Sequence, residues 1–240
     1  MKNIKNNFLI ILGIAYGFIG GFDLIHTLAY KGMGVFNNSS GNLPTQLWIM
    51  ARYIESFSFL VALWFMNTSK EFNLSKIIYF YLSISIVLFG SLYLDIFPTA
   101  FMEGDGLTQF KIFSEYIISG LLILGLYLLY LNKKQFSAYI YNLIFLSISM
   151  TILSEISFTF YVDVYGLSNI IGHIFKLISV MLIFKAIIET GFKRPYDLLF
   201  RKLKIQKDEL LEKKELIENI YNNIEQGLCL HEIIYNNDNE

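Results

Sequence analysis

Six apolar segments of about twenty residues each constrain this chain more than any other feature. They lie at 8–30, 46–66, 76–95, 112–131, 137–161 and 168–190. A helix of that length crosses a hydrocarbon layer of about 30 Å, which marks each segment as a membrane span. The expected fold is an all-α, polytopic transmembrane bundle with six spans. Composition agrees, since only 16% of the residues are charged while 55% are hydrophobic; a soluble domain carries about 25% charged residues. The net charge of -1 says nothing about nucleic acid, but no basic face is available to follow phosphates, so no nucleic-acid partner is expected. The single cysteine, Cys229, excludes an internal disulfide and every multi-cysteine metal site. Residues 1–7 are too short and polar, and the apolar run after them too long, for a cleaved signal peptide.

Turn chemistry separates the spans: "NNSSGNLP" at 37–44, "NTSKEFNLS" at 67–75, "FPTAFMEGDG" at 97–106 and "LNKK" at 131–134. Lys and Arg in short connections set orientation, because they are retained on the cytoplasmic side. Lys2, Lys5, Lys70, Lys76, Lys133, Lys134, Lys193 and Arg194 fall on one side of a six-span chain. Lys31 and Lys111 fall on the other, beside Glu103, Asp105 and Asp163. The bias predicts a multi-pass protein of the inner (plasma) membrane with both termini in the cytoplasm.

Gly13, Gly17 and Gly21 recur every four residues on one face of the first span. Small residues at that spacing let helix backbones approach closely in lipid. Packing within the bundle is the expected use, and a dimer seam the alternative. After the sixth span the composition turns charged. Leu203, Leu210 and Ile217 within 193–218, and Ile224 beyond it, stand seven apart; with Gln206 and Lys213 in the other core row, they predict a short, weak parallel coiled coil and a homodimer. An amphipathic helix on the lipid surface is the rival reading, and the mixed charges disfavour it. Gly191 and Pro195 mark a joint before this helix. The alternation in "GLCLHEIIY" followed by "NNDN" predicts a strand entering a hairpin turn. The expected division is a membrane domain at 1–192, a linker helix at 193–218, and the start of a further domain at 219–240.

The spans carry ionisable residues at one depth. Asp23 and His26 lie near the far end of span one, Arg52 and Glu55 in the corresponding half of span two, and Glu115 opens span four. Glu155 sits late in span five, and His173 and Lys176 early in span six. Such a charge at the bilayer centre costs roughly 2.5–3.5 kcal/mol on insertion scales, so it implies a partner or a purpose. The pairs 23/26, 52/55 and 173/176 are each three apart and so share a helix face. These residues predict a polar pocket under the outer surface that binds a ligand, a proton or a cofactor; structural charge pairing is the plainer alternative. His26 and His173, on different spans, have the chemistry to hold a haem iron or a metal. Hydrogen bonds to neighbouring carboxylates are the simpler role for both. Lys185, near the other membrane face, can extend to the surface.

The succession "DLIHTLAYKGMGVF", "TQLWIMARYIES", "LTQFKIFSEY", "TILSEISFTFYVDVYGLSNIIGHIFKLIS" and "RPYDLLFRKLK" resembles the third class of bacterial membrane-associated sensor (MASE) domains over about residues 8–204. The resemblance implies an N-terminal membrane sensor attached to a signalling output, chiefly a histidine kinase of a two-component system or a cyclic-di-GMP enzyme, often through a PAS domain. Residues 219–240 look like the opening of such a PAS domain. The family's charged motif positions fall on Asp23, His26, Lys31, Arg52, Glu55, Lys111, Glu115, Glu155, His173 and Lys176. Hydrophobic segments that usually precede these motifs have no counterpart here, and a piece of a longer signalling protein is expected.

The leading functional expectation is therefore a sensory input domain with no catalysis of its own, its partners being the lipid bilayer and a cytoplasmic output domain. A small proton-coupled transporter is the alternative, although transporters place sites near the midplane between repeats, and no internal repeat is visible. A membrane enzyme using His26 or His173 as acid–base groups is the third. No metal-binding HExxH motif, nucleophile elbow or phosphate loop supports it.

Overall fold

Each expected span is a helix in the computed structural model, which describes residues 7–30, 32–36, 40–67, 73–160, 166–190 and 194–237. The six are α1 (Asn7–Leu28), α2 (Asn42–Trp64), α3 (Leu74–Tyr93), α4 (Gln109–Leu131), α5 (Ala138–Thr159) and α6 (Leu167–Ile188). All are long and apolar enough to cross a membrane. Local chemistry starts several of them. The side chains of Asn73, Thr108 and Ser137 accept hydrogen bonds from the backbone N–H groups of Ser75, Lys111 and Ile140, capping α3, α4 and α5. The orientation residues Lys2, Lys5, Lys31, Lys70, Asp163 and Lys193 lie outside the described residues.

The chain divides into two compact units, Met1–Glu189 and Thr190–Glu240. Within the first, α2 is the most enclosed helix, packed against α1 and α4, while α5 pairs with α6 and with α4. Helix α3 is the least enclosed, with only Tyr81 and Ser85 buried. An apolar core fills the half of the bundle where α1 begins, built from Leu12, Phe59, Leu63, Ile118, Leu122, Ile144 and Ile183. Large apolar side chains such as Phe80, Val87, Met181 and Phe184 point outward, as helices solvated by lipid tails allow.

The α3–α4 connection is more ordered than its turn residues suggested. Phe101–Met102 and Gly106–Leu107 pair as a short antiparallel hairpin (β1 and β2), turned by Gly104 and Gly106 at positive φ. Asn42 Oδ1 accepts from the backbone N–H groups of Ala100 and Phe101, and Gln46 Nε2 donates to the carbonyls of Phe97 and Pro98. The connection is thereby tied over the first turns of α2.

The expected internal packing of the glycine face is not found. A Cβ at Gly13, Gly17 or Gly21 would meet nothing within 4 Å, so this face points away from the other described helices. The close helix approach lies elsewhere, at Gly172 on α6. A Cβ there would stand 2.7 Å from the ring of Phe158 on α5, and Ser154 Oγ donates to the Gly172 carbonyl at 2.8 Å. Gly172→Ala is therefore expected to cost about 1–3 kcal/mol by overpacking, while Gly17→Ala stays within about 0.5 kcal/mol as an ordinary surface change. Detergent-titrated unfolding of both variants measures the difference, and equal effects would contradict the α5–α6 contact.

The second unit contains α7 (Arg194–Asn237), a single helix with Pro195 in its first turn, where a missing N–H costs little. Residues 191–193 of the expected joint lie outside the described residues. The strand expected at "GLCLHEIIY" is helix instead. One strand without a neighbour leaves its backbone groups unpaired, whereas a helix pairs them locally.

Candidate functional site

The sequence spacing that places residues on shared helix faces also assembles the polar half of the first unit. Tyr16 and Asp23 are seven apart on α1; Trp48, Arg52 and Glu55 form one stripe of α2; Glu155 and Phe158 are three apart on α5; His173 and Lys176 are three apart on α6. These stripes meet where α1 and α5 end and where α2 and α6 begin.

Glu55, fully buried, is the point of convergence. It accepts from Arg52 on its own helix, from Lys176 of α6, and from the Tyr16 hydroxyl of α1 at 2.9 Å. Arg52, also fully buried, reaches Asp23 on α1 with its second terminal nitrogen. Its guanidinium carbon lies 4.5 Å from the centre of the Trp48 ring, a cation–π contact. Three helices are thus joined through two neighbouring residues of α2. Burying each of these ions alone would cost several kcal/mol, and the shared pairing offsets that penalty.

A second layer is aromatic. Trp48 packs against Phe158 at 4.8 Å, and against His26 and His173 at 5.5 Å each. The two histidine rings are 6.4 Å apart. His26 Nδ1 donates to the Pro44 carbonyl at 2.7 Å, so it holds the backbone of α2 rather than the carboxylate expected of it. That bond requires a proton on Nδ1, because a carbonyl oxygen can only accept. Trp48 Nε1 donates to Glu155 Oε2 at 3.4 Å. The other oxygen of Glu155 is buried without a hydrogen-bond partner among the described residues.

Asp23, His26, Arg52, Glu55, Glu155, His173 and Lys176 therefore stand together, within this double layer. Glu115 does not join it directly. It pairs with Lys111 one turn earlier on α4, and both are buried. Lys111, read from sequence as a residue of the connection, lies inside α4 because that helix begins at Gln109. It approaches the site only through the Phe158 ring, 6.0 Å from its ammonium nitrogen. Lys31 lies outside the described residues. Tyr16, Trp48 and Phe158 were not anticipated. Their positions seven before Asp23, four before Arg52 and three after Glu155 were the available signal.

Among the described residues, no three His, Cys, Asp or Glu side chains are arranged to hold a metal ion. What the geometry offers is a set of buried, shared ion pairs under an aromatic edge. His173 is exposed and His26 half-buried at that edge, and the Asp23 side chain is 32% exposed.

Compared with known families, residues 1–195 match the model of MASE3, a membrane-associated sensor domain. No curated protein and no solved structure matches the chain.

Proposed function

Because the chain belongs to the MASE3 family of membrane-associated sensor domains, we propose that this multi-pass membrane protein is the sensory input of a bacterial signalling system. Its output would be a histidine kinase of a two-component system or a cyclic-di-GMP enzyme, reached through a PAS-type module and placed in the cytoplasm with both chain termini. The chain itself supplies no catalysis in this reading. Asp23, His26, Arg52, Glu55, Glu115, Glu155, His173 and Lys176 receive the stimulus or maintain the site that does. Leu203, Leu210 and Ile217 of α7 pair with a second copy in the cytoplasm, below the inner membrane.

The observation that carries this reading is the convergence of α1, α2 and α6 on Glu55. Helix α6 precedes α7 in the chain, so a change in the Glu55–Lys176 pairing acts on the span nearest the output. A stimulus shifts such an equilibrium only if it interacts differently with the two arrangements. Ion pairs that can exchange partners supply that difference.

The test fuses the chain to a complete kinase module in liposomes and measures autophosphorylation. Asp23→Asn removes the α1 tie and Lys176→Met removes the α6 tie. Each is expected to change output by about 5-fold or more, the lower end of usual coupling energies. Unchanged output from both variants in folded protein would overturn the reading.

A further inference from the structure

We propose that the site takes a small organic cation, with Glu155 as its counter-charge and the Trp48–Phe158–His173 rings as its wall. This deepens the sensory reading and rests on it. Within the site Arg52 is shared by Asp23 and Glu55 and Lys176 serves Glu55, while beside it on α4 Lys111 serves Glu115. The carboxylates Asp23, Glu55, Glu115 and Glu155 outnumber the cations Arg52, Lys111 and Lys176 by one. Glu155 is the one left over. It is fully buried and has one oxygen with no hydrogen-bond donor; Glu115 also has oxygens without donors, but it has the Lys111 ion pair, and Glu155 forms none among the described residues.

When ionised, a fully buried carboxyl without a cation needs a positive partner to offset its desolvation, and it offers an anion no counter-charge. The rings around it specify the partner further. Trp48 donates to Glu155 and packs on Phe158, while Phe158 and His173 lie 5.1 Å apart. Aromatic faces beside a carboxylate are the chemistry that recognises an ammonium group. Trp48 and Phe158 already accept positive charge from the protein, in their contacts with Arg52 and Lys111. A metal ion is disfavoured, because the described residues bring no three His, Cys, Asp or Glu side chains together for one. The exposed His173 lies at the outer edge of the ring cluster, where a ligand would arrive.

The test uses the full chain in lipid nanodiscs. Trp64, 74% exposed, is replaced by Phe so that Trp48 is the only tryptophan. Trp48 fluorescence is titrated with choline, tetramethylammonium and propylammonium chlorides, and with dimethylbutanol, the neutral carbon isostere of choline. The expected result is a saturable change with at least one cation and none with the isostere. Glu155→Gln should weaken that cation about 10-fold or more, a loss of about 1.4 kcal/mol. His173→Ala, at the exposed edge, should weaken it severalfold. A response equal for choline and its isostere, no saturable response to any of the cations, or unaltered affinity in folded Glu155→Gln would each overturn the proposal. The cation–isostere comparison is made on the intact site and stands even if Glu155→Gln fails to fold. Binding is read without any output module, so failure here leaves the kinase-fusion test of the sensory reading intact.

Discussion

Arg52→Met is expected to cost about 3–5 kcal/mol of stability, as removal of one partner from a buried ion pair usually does. Two carboxylates depend on this side chain, and they belong to different helices. Glu55 keeps Lys176 and Tyr16 when Arg52 is removed, but Asp23 loses its recorded ion-pair partner and the Trp48 ring loses its cation. Methionine fills most of the volume, so the loss reports charge rather than a cavity. Arg52→Lys keeps the charge but cannot span two carboxylates with one ammonium group, and it is expected to fall between wild type and Arg52→Met. Adding Asp23→Asn to Arg52→Met removes the stranded charge. The double variant should therefore lose less than the sum of the singles, by about 0.5–3 kcal/mol. Unfolding in mixed micelles supplies all four values. An Arg52→Met loss below about 1 kcal/mol would place these ions among weak surface pairs and remove the basis for a coupled site.

The spans were readable because hydropathy and length are the quantities a bilayer selects. Their observed ends differ from the expected ones by no more than four residues, at Asn42 on α2. That small offset still mattered at Lys111, where a start at Gln109 turned a residue of the connection into a buried partner of Glu115. The charged members of the site were visible because charge inside a span is rare. Tyr16, Trp48 and Phe158 were not, because residue type carries little information in a chain that is 17% aromatic. Only their spacing from Asp23, Arg52 and Glu155 marked them. The glycine face shows a different limit. Spacing at Gly13, Gly17 and Gly21 says that a backbone can come close, but not where the partner is, and the close approach proved to be at Gly172. The C-terminal stretch failed for a third reason, since a short alternation fits a strand only when another strand is there to pair with it.

If the bundle signals through α7, a helix-phase series shows it most directly. One to four residues are inserted after Lys204, inside α7, in the chain fused to a complete kinase module. Each insertion turns everything beyond it by about 100° about the helix axis and lengthens the helix by about 1.5 Å. If Leu203, Leu210 and Ile217 form the seam of a parallel pair, the phase between bundle and output changes with each residue. Autophosphorylation in liposomes should then rise and fall with a period of about 3.6 residues. The swing should reach about 5-fold to 150-fold, the range of ordinary coupling energies. A flat response across the four insertions, with the fusions folded and active, would mean that α7 only tethers the output and would contradict the account.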